Sequence, residues 1–193
     1  MELLKDEAFE ILFERKFTIL LGWNNCIKRF RKRFMDLDLC AFYRKKNGET
    51  GGVFSSEFNL SKKHTEGSLS EFPFIFLFGE NRLSPKYENE EMIGVVNIHK
   101  MEEVFIVAVD YNAAVKNEPG FSLPLTLETI GTNPLISISY TKTENTQGAI
   151  LLLATLKELD NGSIIISNKS KLMDLLEAFN EIPGIDSILT SNQ

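Results

Sequence analysis

The feature that most constrains this chain is a succession of short apolar segments, each cut off by a turn signal, with no helical pattern between them. Residues 17–23, 37–44, 53–58, 72–78, 92–98, 104–109, 135–140, 149–159 and 163–167 carry alternating or continuous apolar side chains at strand length. Asn24-Asn25, Asn47-Gly48, Gly131 to Pro134 and Asp160-Asn161-Gly162 punctuate them, and Asn-Gly is a strong hairpin signal. A parallel sheet would need a helix between successive strands, and the stretch writes none. The chain is therefore read as mainly β, an antiparallel β-sandwich of two sheets.

Helices are expected only at the two ends. Leu4, Ala8, Phe9, Leu12 and Phe13 stand at helical spacing, which predicts a short helix within residues 1–15, appended to a sandwich of residues 16–167. Leu172, Leu175, Leu176 and Phe179 repeat at i, i+3, i+4, i+7, which predicts a helix near 170–180 with those four buried and Pro183-Gly184 ending it. Residues 168–193 are thus a C-terminal helix and tail packed on the same domain. Residues 59–71 are polar and read as an exposed loop. The nearly all-apolar 72–78 (FPFIFLF) reads as a strand covered on both faces, with Pro73 near its start.

A chain of 193 residues suits one domain and buries roughly 70% of its unfolded surface without a metal or disulfide staple. Fifteen Phe and one Trp predict an aromatic-filled core. The net charge of −6 argues against whole-surface binding to nucleic acid or anionic membrane. No apolar run reaches membrane-spanning length, and the acidic N-terminus does not resemble a signal peptide. Cys26 and Cys40 have no metal-ligand spacing and fit a reducing compartment. A cytoplasmic protein with no membrane partner is the expectation.

Catalytic signatures are missing. The sequence has no Gly-rich phosphate loop, no Ser nucleophile elbow and no paired His for zinc. His64 and His99 sit in polar connections and read as solvated. The expectation is a binding protein, not an enzyme.

Acidic residues gather at strand ends. Asp36 and Asp38 flank Leu37, so period-two alternation puts both carboxylates on one face, about 6–7 Å apart, where their repulsion reaches roughly 2–3 kcal/mol. A cation would relieve it. Glu80 and Asn81 leave one strand, and Glu88 to Glu91 lead into the next. Carboxylate and amide oxygens from separate loops are what a hard cation such as Ca²⁺ requires, although solvated strand ends carry the same residues.

These clusters stand in a familiar order. Leu20-Leu21-Gly22-Trp23-Asn24 resembles the L-G-W-D strand end of the tellurium-resistance, TerD-like family, and Asp36 to Phe42 (DLDLCAF) is similar to its D-L-D-A-S-A-F segment. Gly79-Glu80-Asn81 looks like its G-D-N, and Asn89-Glu90-Glu91 like its D-D-E. Val96-Asn97-Ile98 followed by residues 104–113 (VFIVAVDYNA) resembles the family's V-D-L and I-V-F-x-V-x-I-Y-D-A. Gly148 to Leu153 and Asn161-Gly162 fit its final hairpin, so the resemblance spans residues 16–167. It implies two antiparallel sheets, a cytoplasmic stress-response role with protein partners, and calcium held by Asp36, Asp38, Glu80, Asn81, Glu90 and Glu91. Asn24, Glu80, Asn89 and Glu90 stand where the family has Asp.

Beside the acidic pair, residues 28–34 carry five cations: Lys28, Arg29, Arg31, Lys32 and Arg33. They read as a solvated loop, as an anion or nucleic-acid contact in which Arg and Phe grip phosphates and bases, or as counter-charge folded over Asp36 and Asp38 in place of a metal. The drift from Asp together with these cations predicts a weakened calcium site.

Overall fold

The computed structural model describes residues 1–24, 26–28, 31–33, 36–58, 65–80, 86–110, 113, 120–121, 123–142 and 147–188, with backbone alone at 26–28, 31–33 and 80. The strands are β1 (Ala8–Ile11), β2 (Phe17–Trp23), β3 (Cys26–Lys28), β4 (Arg31–Arg33), β5 (Leu37–Lys45), β6 (Thr50–Val53), β7 (Gly67–Ser68), β8 (Ile75–Glu80), β9 (Asn89–Val95), β10 (Met101–Asp110), β11 (Leu125–Ile130), β12 (Ser137–Tyr140), β13 (Ile150–Glu158) and β14 (Ile164–Met173). Among the elements that lie within the described residues are also the helix α1 (Leu175–Glu181) and the 3-10 turns Ser56–Phe58 and Ile185–Ile188.

Two six-stranded antiparallel sheets form the expected sandwich. Sheet I runs β1-β14-β13-β10-β5-β6, sheet II runs β12-β11-β2-β9-β8-β7, and β3-β4 pair apart from both. Between the sheets lie the inward residues of each strand, among them Ile19 and Leu21 of β2, Ile93 of β9, Leu39 and Ala41 of β5, and Ile106 of β10. A second apolar layer covers the other face of sheet I. Phe42, Val107, Ile150 and Met173 meet Ala178, Ile182, Ile185 and Ile188 of the C-terminal segment there. Strands β5, β10 and β13 are buried on both faces, which is why they read as continuous apolar runs.

The N-terminal helix is not formed. Residues 8–11 make the edge strand β1, Ala8 opposite Ser167 and Ile11 opposite Ile164. Leu4, Ala8, Phe9 and Leu12, four of the five residues on the expected apolar face, are exposed, whereas Leu3 and Ile11 are buried. Pairing with the open edge of β14 overrides a helical spacing that was too short to hold a helix alone.

At the other end, β14 runs on to Met173, so Leu172 belongs to a strand. The helix starts at Asp174, whose Oδ1 accepts the Glu177 N–H at 2.8 Å, and it ends at Ile182 just before Pro183-Gly184. Its buried phase is Ala178 and Ile182, while Leu176 is 73% exposed and Phe179 is exposed. The tail then turns at Gly184, with φ +87°, where a Cβ would stand 2.6 Å from the Gly51 carbonyl oxygen of β6.

Smaller boundaries also moved. The return strand expected at 53–58 is β6, ending at Val53, and β11 was not anticipated. Phe78 of the apolar 72–78 segment is exposed. The 59–71 loop lies partly outside the described residues. No helix among the described residues is long and apolar enough to cross a membrane.

Candidate functional site

The acidic residues meet at one end of the sandwich because of strand register. In sheet II, Trp23 closes β2 opposite Asn89, which opens β9, and Glu80 closes β8 opposite Glu91. In sheet I, Leu37 opens β5 opposite Asp110, which closes β10. Asp36, Asp38, Asp110, Glu80, Glu90 and Glu91 therefore all lie near the same rim. Asn24 caps the approach to β9, its Oδ1 accepting the Glu88 N–H at 2.8 Å.

The pleat then separates them. Glu91 lies on the inner face of sheet II, buried, and its Oε2 accepts the Leu39 N–H of the opposing sheet, a bridge that ties β9 to β5. Glu90, one residue earlier, belongs to the outer face, opposite Gly22. A Cβ on Gly22 would run into the Tyr87 ring at 2.2 Å, so Tyr87 covers that face and Glu90 is buried there. Asp38 lies opposite Val109 and shares its face with Cys40, on the outer side of sheet I. Burial first, and then the negative charges of Asp38 and Glu91, push the Cys40 thiol well above its ordinary range. Asp36 is exposed.

Asp110 was not among the residues singled out from the sequence, yet its carboxylate holds two backbone N–H groups at the rim. It is buried, its Oδ1 accepts the Ala113 N–H at 3.0 Å, and its Oδ2 accepts the Phe121 N–H at 3.2 Å. Phe121 is fully buried against Tyr140, with ring centroids 6.4 Å apart. The sequence signal was available: Asp110 continues the inward alternation of Val104, Ile106 and Ala108.

Whether this rim fits a hard cation can be tested on its polar atoms. Asp38, Glu90 and Glu91 leave their strands on three different faces. Among the described residues, no three Asp, Glu, His or Cys side chains come together as a metal site. The buried polar atoms left unpaired on the inner face, Trp23 Nε1 and Asn89 Nδ2, are donors. Unpaired donors call for an oxygen acceptor such as a water and repel a cation. The described residues do not fit calcium. Asn81 lies outside them, as does the side chain of Glu80.

The basic segment forms the separate ribbon β3-β4, in which Lys28 pairs with Arg31, Ile27 with Lys32 and Cys26 with Arg33. Arg29 lies outside the described residues, as do the side chains of Lys28, Arg31, Lys32 and Arg33. Of the two histidines, His99 stands at the surface beside Glu158, and His64 lies outside the described residues.

The sandwich superposes on two solved structures over most of their length. A homologue of the telluride-resistance protein TerD, SCO6318 from Streptomyces coelicolor A3(2), superposes with a TM-score of 0.52 at 9% identity over 83% of this chain and 90% of that one. The fold is TerD-like. A protein of unknown function, SAV2460, superposes on the TerD-like sandwich with a TM-score of 0.51 at 13% identity, over 85% of this chain and 94% of that one. No family model and no curated protein sequence matches the chain. At these identities the likeness establishes the TerD-like architecture, and the ligand has to be argued from the residues.

Proposed function

We propose that this chain is a TerD-like stress-response protein of the cytoplasm that works by binding, as a scaffold for protein partners, and not by catalysis. The observation that carries the reading is the likeness of the whole sandwich to a telluride-resistance homologue across 83% of the chain. The order of the sequence motifs at its acid-rich rim supports it. On this reading the rim holds at most a weakened calcium site, because Asp38, Glu90 and Glu91 face different ways and the cations of residues 28–33 supply counter-charge to Asp36 and Asp38.

A calcium titration followed by thermal melting tests it. A cation held at a hundred times its dissociation constant adds about 2.7 kcal/mol, which for a chain of this size raises the melting temperature by roughly 5–10 °C. The expected result is a shift below about 1 °C in millimolar Ca²⁺, with a calcium response emerging only when Arg29, Arg31 and Arg33 are replaced by Gln. A full-sized rise in the unaltered protein would sink the weakened-site reading.

The β3-β4 ribbon favours a second reading, an anion or nucleic-acid contact, since a two-stranded ribbon fits the major groove and pairs here with neither sheet. Five cations on phosphates would give log affinity for an oligonucleotide a slope against log salt of roughly −3 to −5. A flat salt dependence, or no binding at low salt, would remove this alternative.

A further inference from the structure

A second place lies to the side of the carboxylates, at the β12 and β14 edges where the two sheets meet. Residues 1–3 run parallel to β12, with Glu2 bridged to Ser137. The Met1 ammonium donates to the Leu135 carbonyl at 2.7 Å, the Ser137 N–H donates to the Met1 carbonyl at 2.8 Å, and the Leu3 N–H donates to the Ser137 carbonyl at 2.8 Å. The next rung of a parallel ladder would join the Ser139 N–H to the Leu3 carbonyl. That carbonyl is taken instead by Asn168 Nδ2 at 2.7 Å, from a side chain only 1% exposed whose Oδ1 also accepts the Ser170 hydroxyl at 2.7 Å. The chain then crosses to β14, where Asp6 donates to the Asn168 carbonyl and the Asn168 N–H donates to the Glu7 carbonyl.

The ladder therefore stops one rung short. Ser137 turns its N–H and carbonyl outward, so Ser139, two residues on, does the same, and Ser139 is exposed with no backbone partner on that side among the described residues. A cleft of about 350 Å³ opens there, bounded by Leu3, Ser139, Thr141 and Ser170. Its far wall is bent away. Leu152 pairs with Lys171 but Ala154 with Asn168, which leaves an extra residue in β14, and Ser170 has φ +40°, a conformation that a non-glycine residue rarely adopts. Strain of this kind is held only where the surroundings impose it.

We propose that this open end of β12 is a docking site for an uncharged extended peptide, which adds to sheet II by backbone pairing that starts at Ser139. Its chemistry follows from the lining. The Lys171 ammonium is held by Glu177 and Glu181 at 2.8 and 2.6 Å, and Lys5 and Glu2 give the cleft one further charge of each sign. Lys5 and Glu2 offset each other and Lys171 is already engaged by two carboxylates, so no lining cation or anion is left to hold a charged side chain, and the open N–H and carbonyl of Ser139 select a strand.

The test uses the full chain and a fluorescein-labelled pentapeptide of alternating Thr and Val, followed by fluorescence anisotropy. Saturable binding is expected, with affinity nearly independent of salt. N-methylation of the peptide's central amides is expected to weaken it about tenfold or more, because it removes the pairing donors. Ser139→Pro, which removes the outward N–H at an edge position that tolerates proline, is expected to weaken the unmethylated peptide similarly. Should that variant fail to fold, the methylated peptide alone decides. Equal binding of the methylated peptide, undiminished binding by a folded Ser139→Pro variant, a steep salt dependence or no saturation at millimolar peptide would each overturn the proposal.

Discussion

Ile182→Ala is expected to destabilise the protein by about 2–4 kcal/mol, while Leu176→Ala, one turn and a half earlier on the same segment, stays within about 0.5 kcal/mol of the unaltered chain. Both remove branched aliphatic carbons from the C-terminal segment, so the difference isolates burial. Ile182 is 1% exposed and belongs to the layer that covers sheet I with Phe42, Phe54, Val107 and Ile185. Leu176 points to solvent. Truncating Ile182 leaves a cavity that this layer can only partly close, because sheet I holds one wall and the close approach of Gly184 to Gly51 holds the tail. Urea denaturation of the two variants, read as midpoints at constant slope, measures both. Equal losses would mean that the C-terminal segment does not dock in the described phase.

That contrast also shows where sequence reasoning stopped. Leu172, Leu175, Leu176 and Phe179 satisfy a helical repeat, but the repeat carries no information about where the strand before it ends. Once β14 claims residues up to Met173 and Asp174 caps the helix, the phase of the buried face is fixed by Ala178 and Ile182. The N-terminal segment failed for a related reason: its apolar spacing is local, whereas β1 exists because β14 offers a partner more than 150 residues away. Strands β2, β5 and β13 were legible because both burial and turn signals agreed along them. Strand β11 alternates Leu125 and Leu127 with Thr126 and Glu128, a short pattern whose pairing with β2 and β12 supplies what the local sequence does not.

The candidate site divides in the same way. That acidic residues gather at one rim was readable, since strand ends and turns can be placed from sequence. Which face each side chain takes was not, because it depends on register across two sheets. Glu90 and Glu91 are neighbours in sequence on opposite faces of sheet II, and Asp38 leaves β5 on the outer face of sheet I. A motif match therefore located the rim without assembling it.

The remaining carboxylate of the rim gives the other large effect. Asp110→Ala is expected to destabilise the protein by about 2–5 kcal/mol, since it strips the acceptors from two backbone N–H groups at once, and each buried donor left unpaired costs roughly 1–3 kcal/mol. Those groups belong to Ala113 and Phe121, both buried, so water cannot replace the lost oxygens without rearrangement. Asp110→Asn offers a graded control. It retains one carbonyl oxygen, but its NH₂ must face the second N–H, so roughly half the loss is expected. The reason for the position is topological. Asp110 ends β10 beside Leu37 in sheet I, and Phe121 belongs to the core ahead of β11. One carboxylate thus holds both ends of the connection and seats the Phe121 ring against Tyr140. Chemical denaturation of both variants measures the effect, with near-ultraviolet circular dichroism reporting the aromatic packing. If Asp110→Ala unfolded at the same urea concentration as the unaltered protein, the two hydrogen bonds would be incidental, and another contact would have to anchor the entry to β11.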